Sequence, residues 1–390
     1  MIYRCWILAV ISLFFYQTLL WFGLKARGRI HMKMIFRWFP GGDDSVTLDQ
    51  IRQIPGVSGI AAMLSDVPPG EVWPLERLRD LKKKINSAGL EMEVIESVNI
   101  HEDIKKGLPT RDRYIENYIH TLQNLSEVGV KCLCYNFMPV MDWVRSNLAF
   151  PLEDGSTAMY YHHEDALQMN PSRIAKEMFA SSEGYTLPGW EPERLKDMAE
   201  DIDFYQNMSE EDYWENLKYF LDAVIPYAEK LDIKMAIHPD DPPFSLYGLP
   251  KVIRDAESIR RFLNLNSSPY NGLTFCTGSL GADVKNDIPS MIKEFVSRGR
   301  VHFAHIRNIR HLDNKVFMET AHLSSYGDLD MYRIVKAFHD NGFDGYIRPD
   351  HGRMIWGEKA RPGYGLYDRS IGIAYLLGLW EAVHKNSSET

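Results

Sequence analysis

The chain has 390 residues, of which 45% are hydrophobic and 25% charged, and its formal net charge at pH 7 is -9. The acidic balance argues against a general nucleic-acid-binding protein, and the length fits one large barrel with insertions or two smaller domains. Cys132 and Cys134 lie two apart in one strand-like run, too awkwardly placed for a disulfide. With Cys5 and Cys276 as the remaining cysteines, we expect a reduced, cytoplasmic protein without a disulfide framework.

The first 31 residues do not fit this description, because residues 6–24 form one apolar run. Its length is about the roughly 20 residues that a membrane span needs. The run can be a membrane anchor, a signal peptide without a small-x-small cleavage site, or upstream sequence added by a wrong start codon. We favour the third interpretation, because core-like sequence begins at residue 34 without a linker. Residues 32–384 are then expected to form a single catalytic domain, followed by a flexible tail at residues 385–390.

Strand-like and helical segments alternate along the rest of the chain. Eight runs have the pattern of buried strands: residues 34–39, 58–64, 90–97, 130–139, 233–239, 273–278, 301–308 and 345–352. Amphipathic helical patterns separate many of them, near residues 74–89, 111–129, 210–230, 254–265, 287–298 and 329–341. Gly89, Gly129 and Gly342 fall where helices should end, a position that favours glycine. This alternation predicts an α/β fold, the (β/α)8 or TIM barrel.

One interval, about residues 140–209, is too long for a plain connection between the fourth strand and the next helix. An insertion there follows the carboxyl end of a barrel strand, where barrel enzymes carry their active sites. We therefore expect it to cover the active-site mouth. An arm that contacts a second subunit is the alternative, and both roles are compatible.

Residues with metal-binding side chains end four successive predicted strands: His238, Cys276, His305 and Asp350. Each alone has an ordinary explanation, such as a buried thiol for Cys276 or a solvated turn for Asp350. In a parallel barrel, however, these strand ends point into one mouth, and this favours a metal site. The donor set suits Mn2+, Fe2+, Co2+ or Zn2+ better than Mg2+. A closed structural zinc site is the alternative, although a barrel mouth favours open positions for water or substrate.

Arginines accompany these residues. Arg348 lies two residues before Asp350 and shares its strand face, and Arg307 follows the His305 strand. Arg37 lies inside the otherwise apolar first strand, a costly place unless it is paired or faces a polar mouth. Guanidinium groups bind carboxylate or phosphate through two hydrogen bonds, so the set suits an anionic substrate. We take Arg307 and Arg37 as candidates for substrate binding, with a salt bridge as the alternative for each.

A glycine-rich loop at residues 361–370 carries Tyr364, which can donate or accept a proton when a nearby cation lowers its pKa. A ring that only packs over the mouth is the alternative. The sequence contains no GxGxxG, GxxxxGK[ST] or GxSxG motif, which disfavours nucleotide cofactors and serine hydrolase chemistry.

Taken together, the chain resembles the mannonate dehydratases, a family of xylose-isomerase-like barrels. Matching stretches run in order from Met32 to about His384, among them CYNFMPVMDWVRSNL, AIHPDDPP, FCTGSLG, HFAHIRN, RPDHGR and RPGYGLYDR. The family lacks the apolar leader, which supports the wrong-start interpretation. The resemblance implies dehydration of D-mannonate to 2-keto-3-deoxy-D-gluconate in hexuronate breakdown.

The resemblance also implies a cofactor and site residues. It implies Mn2+ or Fe2+, held by His238, Cys276, His305 and Asp350. It implies catalytic or substrate-positioning roles for Arg348, His351 and Tyr364, with Asp350 as a further proton relay, and it leaves open whether His351 or Tyr364 is the base. We expect a homo-oligomer, a dimer, with a sugar acid as its small-molecule partner. We expect no nucleic-acid partner, and no membrane partner unless residues 6–24 are real.

Three other functions compete with this one. A metal-dependent sugar isomerase or epimerase on the same barrel would place carboxylates, often two Glu, at strand ends, and here Glu96 is the only strand-end Glu. A phosphodiesterase or nuclease with several zinc ions needs more ligands and a basic groove. A membrane-tethered binding protein would bind the sugar acid without metal. The ligand order His-Cys-His-Asp favours the dehydratase.

Overall fold

The structure is a computed structural model that describes residues 32–42, 44–168, 182, 184–185, 187, 189–190 and 197–388. The expectations for residues 1–31, for most of residues 169–196 and for residues 389–390 lie outside these described residues. In the part of the chain that is described, no helix combines the length and the apolar character that crossing a membrane requires.

The predicted barrel is confirmed. The strands of the described residues are β1 (Lys33–Arg37), β2 (Gly59–Ala62), β3 (Glu91–Glu96), β4 (Cys132–Tyr135), β5 (Asn147–Pro151), β6 (Thr157–His162), β7 (Lys234–Ile237), β8 (Asn271–Cys276), β9 (Val301–Ile306), β10 (Ile309–Asp313), β11 (Val316–Glu319) and β12 (Tyr346–Pro349). Eight of them pair in parallel and close a barrel in the order β1-β12-β9-β8-β7-β4-β3-β2. These eight coincide with the eight strand-like runs of the sequence.

Helices separate most barrel strands, as the alternation predicts. They are α1 (Leu48–Arg52), α2 (Leu75–Ser87), α3 (Glu102–Lys106), α4 (Arg111–Glu127), α5 (His163–Gln168), α6 (Met198–Gln206), α7 (Glu210–Lys230), α8 (Ala256–Leu265), α9 (Thr277–Gly281), α10 (Ile288–Ser297), α11 (Met331–Asp340) and α12 (Tyr367–Ser388). Gly89, Gly129 and Gly342 follow α2, α4 and α11 with φ of 76°, 75° and 76°. Glycine adopts this left-handed conformation without the steric cost that a Cβ brings, so the predicted helix ends are confirmed.

Alternation along the barrel strands separates two apolar regions. The smaller is a cluster inside the barrel made by Ile35, Ala61, Val94, Cys132, Cys134, Ala236 and Phe303. The larger core includes the opposite strand faces and the helices, for example Phe275 of β8 and Ile292 of α10. Cys132 and Cys134 share the interior face as free thiols, as their spacing predicts. Because Phe303 points inward, alternation places His305 on the same face and His302 on the other.

A second sheet, which the sequence did not predict, lies beyond the barrel mouth. It is antiparallel, with the order β10-β11-β6-β5. The strands β5 and β6 belong to the insertion after β4, and β10 and β11 form a hairpin directly after β9. Both connections leave the carboxyl ends of barrel strands, so the described part of the insertion lies on the side of the mouth. We call this element the mouth sheet.

Candidate metal centre and acid–base site

Three of the four predicted metal ligands come together at the barrel mouth. Cys276 ends β8 and is the register partner of His305 in β9, and His238 follows the end of β7. One ligand atom from each of these residues lies within 4.8 Å of the other two. Among the described residues, they form the group that has the spacing of a metal site. The parallel register therefore does at these strand ends what the sequence pattern predicts.

Asp350, the fourth predicted ligand, lies beside this group. It follows β12, with Oδ2 3.2 Å from Cys276 Sγ and Oδ1 3.5 Å from His305 Nδ1. Its carboxylate also contacts Arg348 at 3.0 Å and Arg307 at 3.1 Å. Burial raises the pKa of Asp350, but the neighbouring positive charges outweigh burial and hold it well below its ordinary value. Asp350 is therefore an ionised carboxylate at the edge of the three-residue group.

The two histidines present nitrogen atoms that suit a metal ion. His238 Nδ1 lies 2.7 Å from the carbonyl oxygen of Pro239, so Nδ1 carries the proton and Nε2 keeps its lone pair. His305 Nε2 is buried without a hydrogen-bond partner. Burial, with the charge of Arg348, lowers the pKa of His305 to about 4, and burial also lowers that of His238. Both rings are thus held neutral, which is the form that binds a metal.

The thiol of Cys276 completes this donor set. Burial raises its pKa, so the thiol keeps its proton until a cation takes that proton's place. Ser279 contacts the sulfur through its hydroxyl at 3.0 Å and through its backbone N–H at 3.4 Å. A sulfur, two imidazole nitrogens and a nearby carboxylate fit a borderline divalent ion better than Mg2+. The orphaned nitrogen of His305 and the chemistry of the donors therefore fit the metal that the sequence implies.

Glu96 and Arg348 form a paired wall on the β3 side of the mouth. Arg348 donates to both carboxylate oxygens of Glu96, at 2.7 and 3.0 Å. Glu96 Oε2 also lies 3.4 Å from His305 Nε2. Burial raises the pKa of Glu96, but the charges of Arg348 and His305 bring it well below its ordinary value. The sequence marks Glu96 only as a single strand-end Glu, whereas the structure places it beside the metal-ligand group.

Arg37 faces the polar mouth from β1. The sequence required either this placement or a paired partner for a charged residue inside an apolar strand. Its Nη1 donates to the carbonyl oxygen of Ala61 at 3.2 Å, and its Nη2 lies 2.8 Å from the sulfur of Met63. Its Nε is buried without a hydrogen-bond partner and lies 3.9 Å from Glu96. Arg37 thus has a buried N–H group with no acceptor, at the cavity that His238 and Asp350 also line.

Arg307 differs from Arg37 because carboxylates surround it. Its guanidinium contacts Asp241 at 2.8 Å, Asp350 at 3.1 Å and Glu319 at 3.2 Å. Two of these carboxylates also bind a second arginine. Arg145 is fully buried and contacts Asp241 at 2.9 Å and Glu319 at 2.8 Å. Arg307 is not among the cavity-lining residues. This buried group of two arginines and three carboxylates, which we call the charge network, joins the mouth sheet to the barrel.

His351 and Tyr364 form a hydrogen-bonded pair on the far side of Asp350. His351 Nε2 lies 3.1 Å from the Tyr364 hydroxyl, and His351 Nδ1 lies 3.0 Å from Glu319. Burial raises the pKa of Tyr364 to about 12, although the charge of Arg348 opposes the shift. A cation alone therefore does not make Tyr364 a phenolate, and the buried hydroxyl keeps its proton near neutral pH.

A single cavity brings most of these residues to one space. Its lining includes Arg37, Met63, Glu96, Asn99, Cys134, Asn136, Asp142, Trp143, His238, Asp241, Arg348, Asp350, His351 and Tyr364. Asp142 and Trp143 come from the insertion, which therefore forms part of the site. Asn136, Asp142, Asp241 and Glu319 are not among the candidate residues predicted from the sequence. Asp241 stands three residues after His238 in the PDDPP stretch, and that position was the signal that could have found it.

The chain is similar throughout its described length to proteins of known activity. The family model described as D-mannonate dehydratase (UxuA) matches residues 32–390. A mannonate dehydratase of Thermotoga petrophila is 57% identical over 354 residues, which cover 91% of this chain and 98% of that protein.

Solved structures agree with the sequence matches. The crystal structure of mannonate dehydratase from Streptococcus suis superposes with a TM-score of 0.83 at 46% identity, covering 92% of this chain and 96% of that one. A 3-keto-D-glucoside 4-epimerase from E. coli superposes with a TM-score of 0.52 at 15% identity, covering 89% of this chain and 99% of that one. The second likeness concerns the fold alone.

Proposed function

The chain belongs to the D-mannonate dehydratase family, and from this premise we propose which of its residues carry out each part of the reaction. The enzyme is a hydro-lyase that removes water from D-mannonate. The isomerase or epimerase alternative has no better support, because its carriers share the barrel but little sequence.

We assign the metal to His238, Cys276, His305 and Asp350, and we favour Mn2+ or Fe2+ as the ion. The support is the neutral state of both imidazoles, the orphaned His305 Nε2 and the borderline-soft donor set. When bound, a divalent ion polarises substrate oxygens and stabilises the negative charge that develops at the carboxylate end of the sugar acid.

We assign the substrate carboxylate to Arg37, with Arg348 beside it. Arg37 has an unused buried N–H group at the cavity, and a carboxylate there would satisfy it. Arg348 is already paired with Glu96, so its charge acts mainly through the field that it sets up. Arg307 is the other candidate from the sequence, but its guanidinium is paired with Asp241, Glu319 and Asp350. We therefore propose that Arg307 positions these carboxylates and does not bind the substrate.

The proton transfers fall to His351 and Tyr364. His351 Nε2 accepts the proton from C2, and the electron pair of the C–H bond moves into the carboxylate to give an enediolate. That electron pair then forms the C2–C3 double bond and expels the C3 hydroxyl, which takes the phenolic proton of Tyr364 and leaves as water. His351 returns its proton to Tyr364, and the enol becomes the 2-keto acid.

The 3.1 Å contact between His351 Nε2 and the Tyr364 hydroxyl is the observation that carries this assignment. C2 and C3 are bonded to each other, so the groups that serve them must be neighbours. An imidazole beside a phenol with a pKa of about 12 supplies one acceptor and one donor. No other assignment is needed to close the proton balance.

The assignment is tested with metal-free protein refilled with Mn2+ or Fe2+ and given D-mannonate and its epimers. A keto-deoxy acid should form from D-mannonate, and a ketose product would instead support the isomerase alternative. Tyr364→Phe and His351→Asn should lose about 10²- to 10⁴-fold in kcat while still binding metal and mannonate. Near-normal turnover in either variant would exclude its role.

A matched control is available in the mouth sheet. Tyr161 hydrogen-bonds His163 at 2.7 Å, in a second buried tyrosine–histidine pair that does not line the cavity. Tyr161→Phe removes the same hydroxyl from that pair, so it should leave kcat unchanged. It thereby separates loss of the acid from loss of a buried hydrogen bond.

We further propose that the enzyme works in the cytoplasm, in hexuronate breakdown. The described cysteines are free thiols, which suits a reducing compartment. The homodimer stays a prediction from the sequence, and the mass of the purified protein in solution decides it.

A further inference from the structure

His351 Nδ1 has two neighbours that make opposite demands on it. Glu319 presents both carboxylate oxygens, at 3.0 and 3.1 Å, and these require a proton on Nδ1. Arg307 Nη1 lies 2.9 Å away and is a donor, so it would require a lone pair there. The two demands correspond to the two neutral tautomers of His351, and only one of them leaves Nε2 free to accept a proton.

The contacts of Arg307 decide between these demands. Its Nη1 has two protons, and it faces two carboxylate oxygens, Glu319 Oε1 at 3.2 Å and Asp350 Oδ2 at 3.1 Å. The positive charge of Nη1 is therefore partly balanced by these two carboxylates, and its single contact with Nδ1 stands against the two contacts that Glu319 makes. With Nδ1 unprotonated, its lone pair would instead face two anionic oxygens of Glu319, which is repulsive. The proton on Nδ1 removes that repulsion.

We infer that Glu319 is a positioning residue that fixes the tautomer of His351, with the proton on Nδ1 and the lone pair of Nε2 directed at Tyr364 and the substrate. A hydrogen bond at one ring nitrogen sets the state of the other. This inference rests on the proposed role of His351 as the base, and it names the residue that keeps this base ready.

The surroundings of Glu319 keep its charge in place. It ends β11, is buried, and accepts from Arg145 Nη2 at 2.8 Å and Nε at 3.2 Å. Burial raises its pKa, but the charges of His351, Arg307 and Arg145 bring the pKa to about 2. Arg145 lies two residues before β5 and Glu319 ends β11, so the pairing of the mouth sheet brings the two together. Assembly of that sheet therefore prepares the base.

Glu319→Gln has a specific expected consequence. The two arginines present three donor nitrogens to Oε1, so the single oxygen of the amide will stay with them. Its NH2 group then takes the place of Oε2, 3.1 Å from Nδ1, and the amide oxygen, still 3.0 Å from Nδ1, no longer carries the negative charge. The attraction that holds the proton on Nδ1 is weakened, so the proton of His351 shifts towards Nε2 and less of the base is ready.

The first test reads the tautomer directly by 15N NMR of the full-length protein labelled at histidine, with diamagnetic Zn2+ in the metal site. The His351 signals are assigned from their absence in His351→Asn. We expect Nδ1–H in the wild type and Nε2–H in Glu319→Gln. Asp241→Asn is the matched control, because Asp241 binds the same two arginines and does not contact His351, so it should keep Nδ1–H.

The second test measures turnover. In Ser–His–Asp triads, the corresponding acid-to-amide change costs about 10⁴-fold in kcat. We expect Glu319→Gln to lose about 10²- to 10⁴-fold in kcat, with KM and metal content within about threefold. Glu319→Asp keeps the charge with a shorter reach and should lose less, about 10²-fold at most.

The wild-type spectrum keeps the inference testable even where Glu319→Gln does not fold. An Nε2–H proton on wild-type His351 overturns it, as does a Glu319→Gln protein that keeps Nδ1–H or turns over at the wild-type rate. These results differ from failure of the proposed function, which shows as turnover by His351→Asn.

Discussion

The ligand side and the acid–base side of the mouth are built on opposite plans. On the ligand side, His305 Nε2 has no hydrogen-bond partner and the Cys276 thiol is held protonated by burial. On the acid–base side, His351 has partners at both nitrogens, and Glu319 is fixed by two arginines. The first side is complete only with a cation, whereas the second is complete within the chain. We therefore expect removal of the metal to change the ligand side, and loss of the charge network to change the acid–base side.

Among the changes considered, loss of Arg145 should have the largest effect, and it should act on the acid–base side through the stability of the protein. It is fully buried between Asp241 and Glu319, so Arg145→Met leaves two buried carboxylates without this partner. Removing one member of a buried ion pair costs about 3–5 kcal/mol. Urea unfolding should show a loss of that size, with the His351 tautomer disturbed as well. A change below about 1 kcal/mol would show that the network does not hold the mouth sheet to the barrel.

Cys276→Ser should act on the ligand side alone. Changes around metal ligands already cost about 10- to 100-fold in metal affinity, and loss of a ligand should cost more. Competition with a chelator measures this affinity, and turnover should fall with metal content. The 15N signals of His351 should not change, because Cys276 has no contact with it. A variant with full metal occupancy would remove Cys276 from the ligands.

Arg37→Gln tests substrate binding between the two sides. A charge-assisted hydrogen bond contributes about 1.5–3 kcal/mol, so KM for D-mannonate should rise by about 10- to 100-fold with a smaller change in kcat. Arg369→Gln is not a usable control, since Arg369 binds the carbonyl oxygen of Arg37. Arg353→Gln is one, since Arg353 is paired with Asp154 and Asp368 away from the cavity. Equal KM changes in both variants would contradict the assignment.

The two sides should also differ in their response to acid. The folded pKa of His305 is about 4, below the ordinary value of 6.5, so the unfolded state binds more protons between these values. Stability of metal-free protein is then fully present above pH 6.5 and is lost as pH falls towards 4, by at most about 1.4 kcal/mol per pH unit for one group. Glu319, whose pKa is lowered from 4.5 to about 2, adds slope only below about pH 5. Urea unfolding of the wild type and His305→Gln between pH 4 and 7 measures the difference, and equal slopes would contradict it.

Local patterns in the sequence were enough for the barrel and for the ligand side. His238, Cys276 and His305 each end an apolar run, and a parallel register brings such ends together without further information. Glu96 carries the same local signal, and only its comparison with an isomerase pattern set it aside. The side of the mouth that Arg307 faces has no local signature, because it depends on Asp241, Glu319 and Asp350 from three other segments.

The acid–base side required the mouth sheet, which no local pattern predicts. β11 pairs with β6 from far earlier in the chain, and these strands are only four and six residues long. The family resemblance implied proton transfer by His351 and Tyr364. The partner of His351 Nδ1, however, is Glu319, which belongs to the β10–β11 hairpin. Pairing at long range, rather than propensity, positions Glu319.

The most direct test of the proton assignments follows the hydrogen at C2 of D-mannonate. The substrate carries deuterium at C2, and its loss to solvent from unreacted mannonate is measured by mass spectrometry. Tyr364→Phe should release deuterium without forming product, because His351 still removes it while the C3 hydroxyl lacks its acid. His351→Asn should do neither. Release of deuterium by His351→Asn, or its absence in Tyr364→Phe with mannonate bound, would contradict the account.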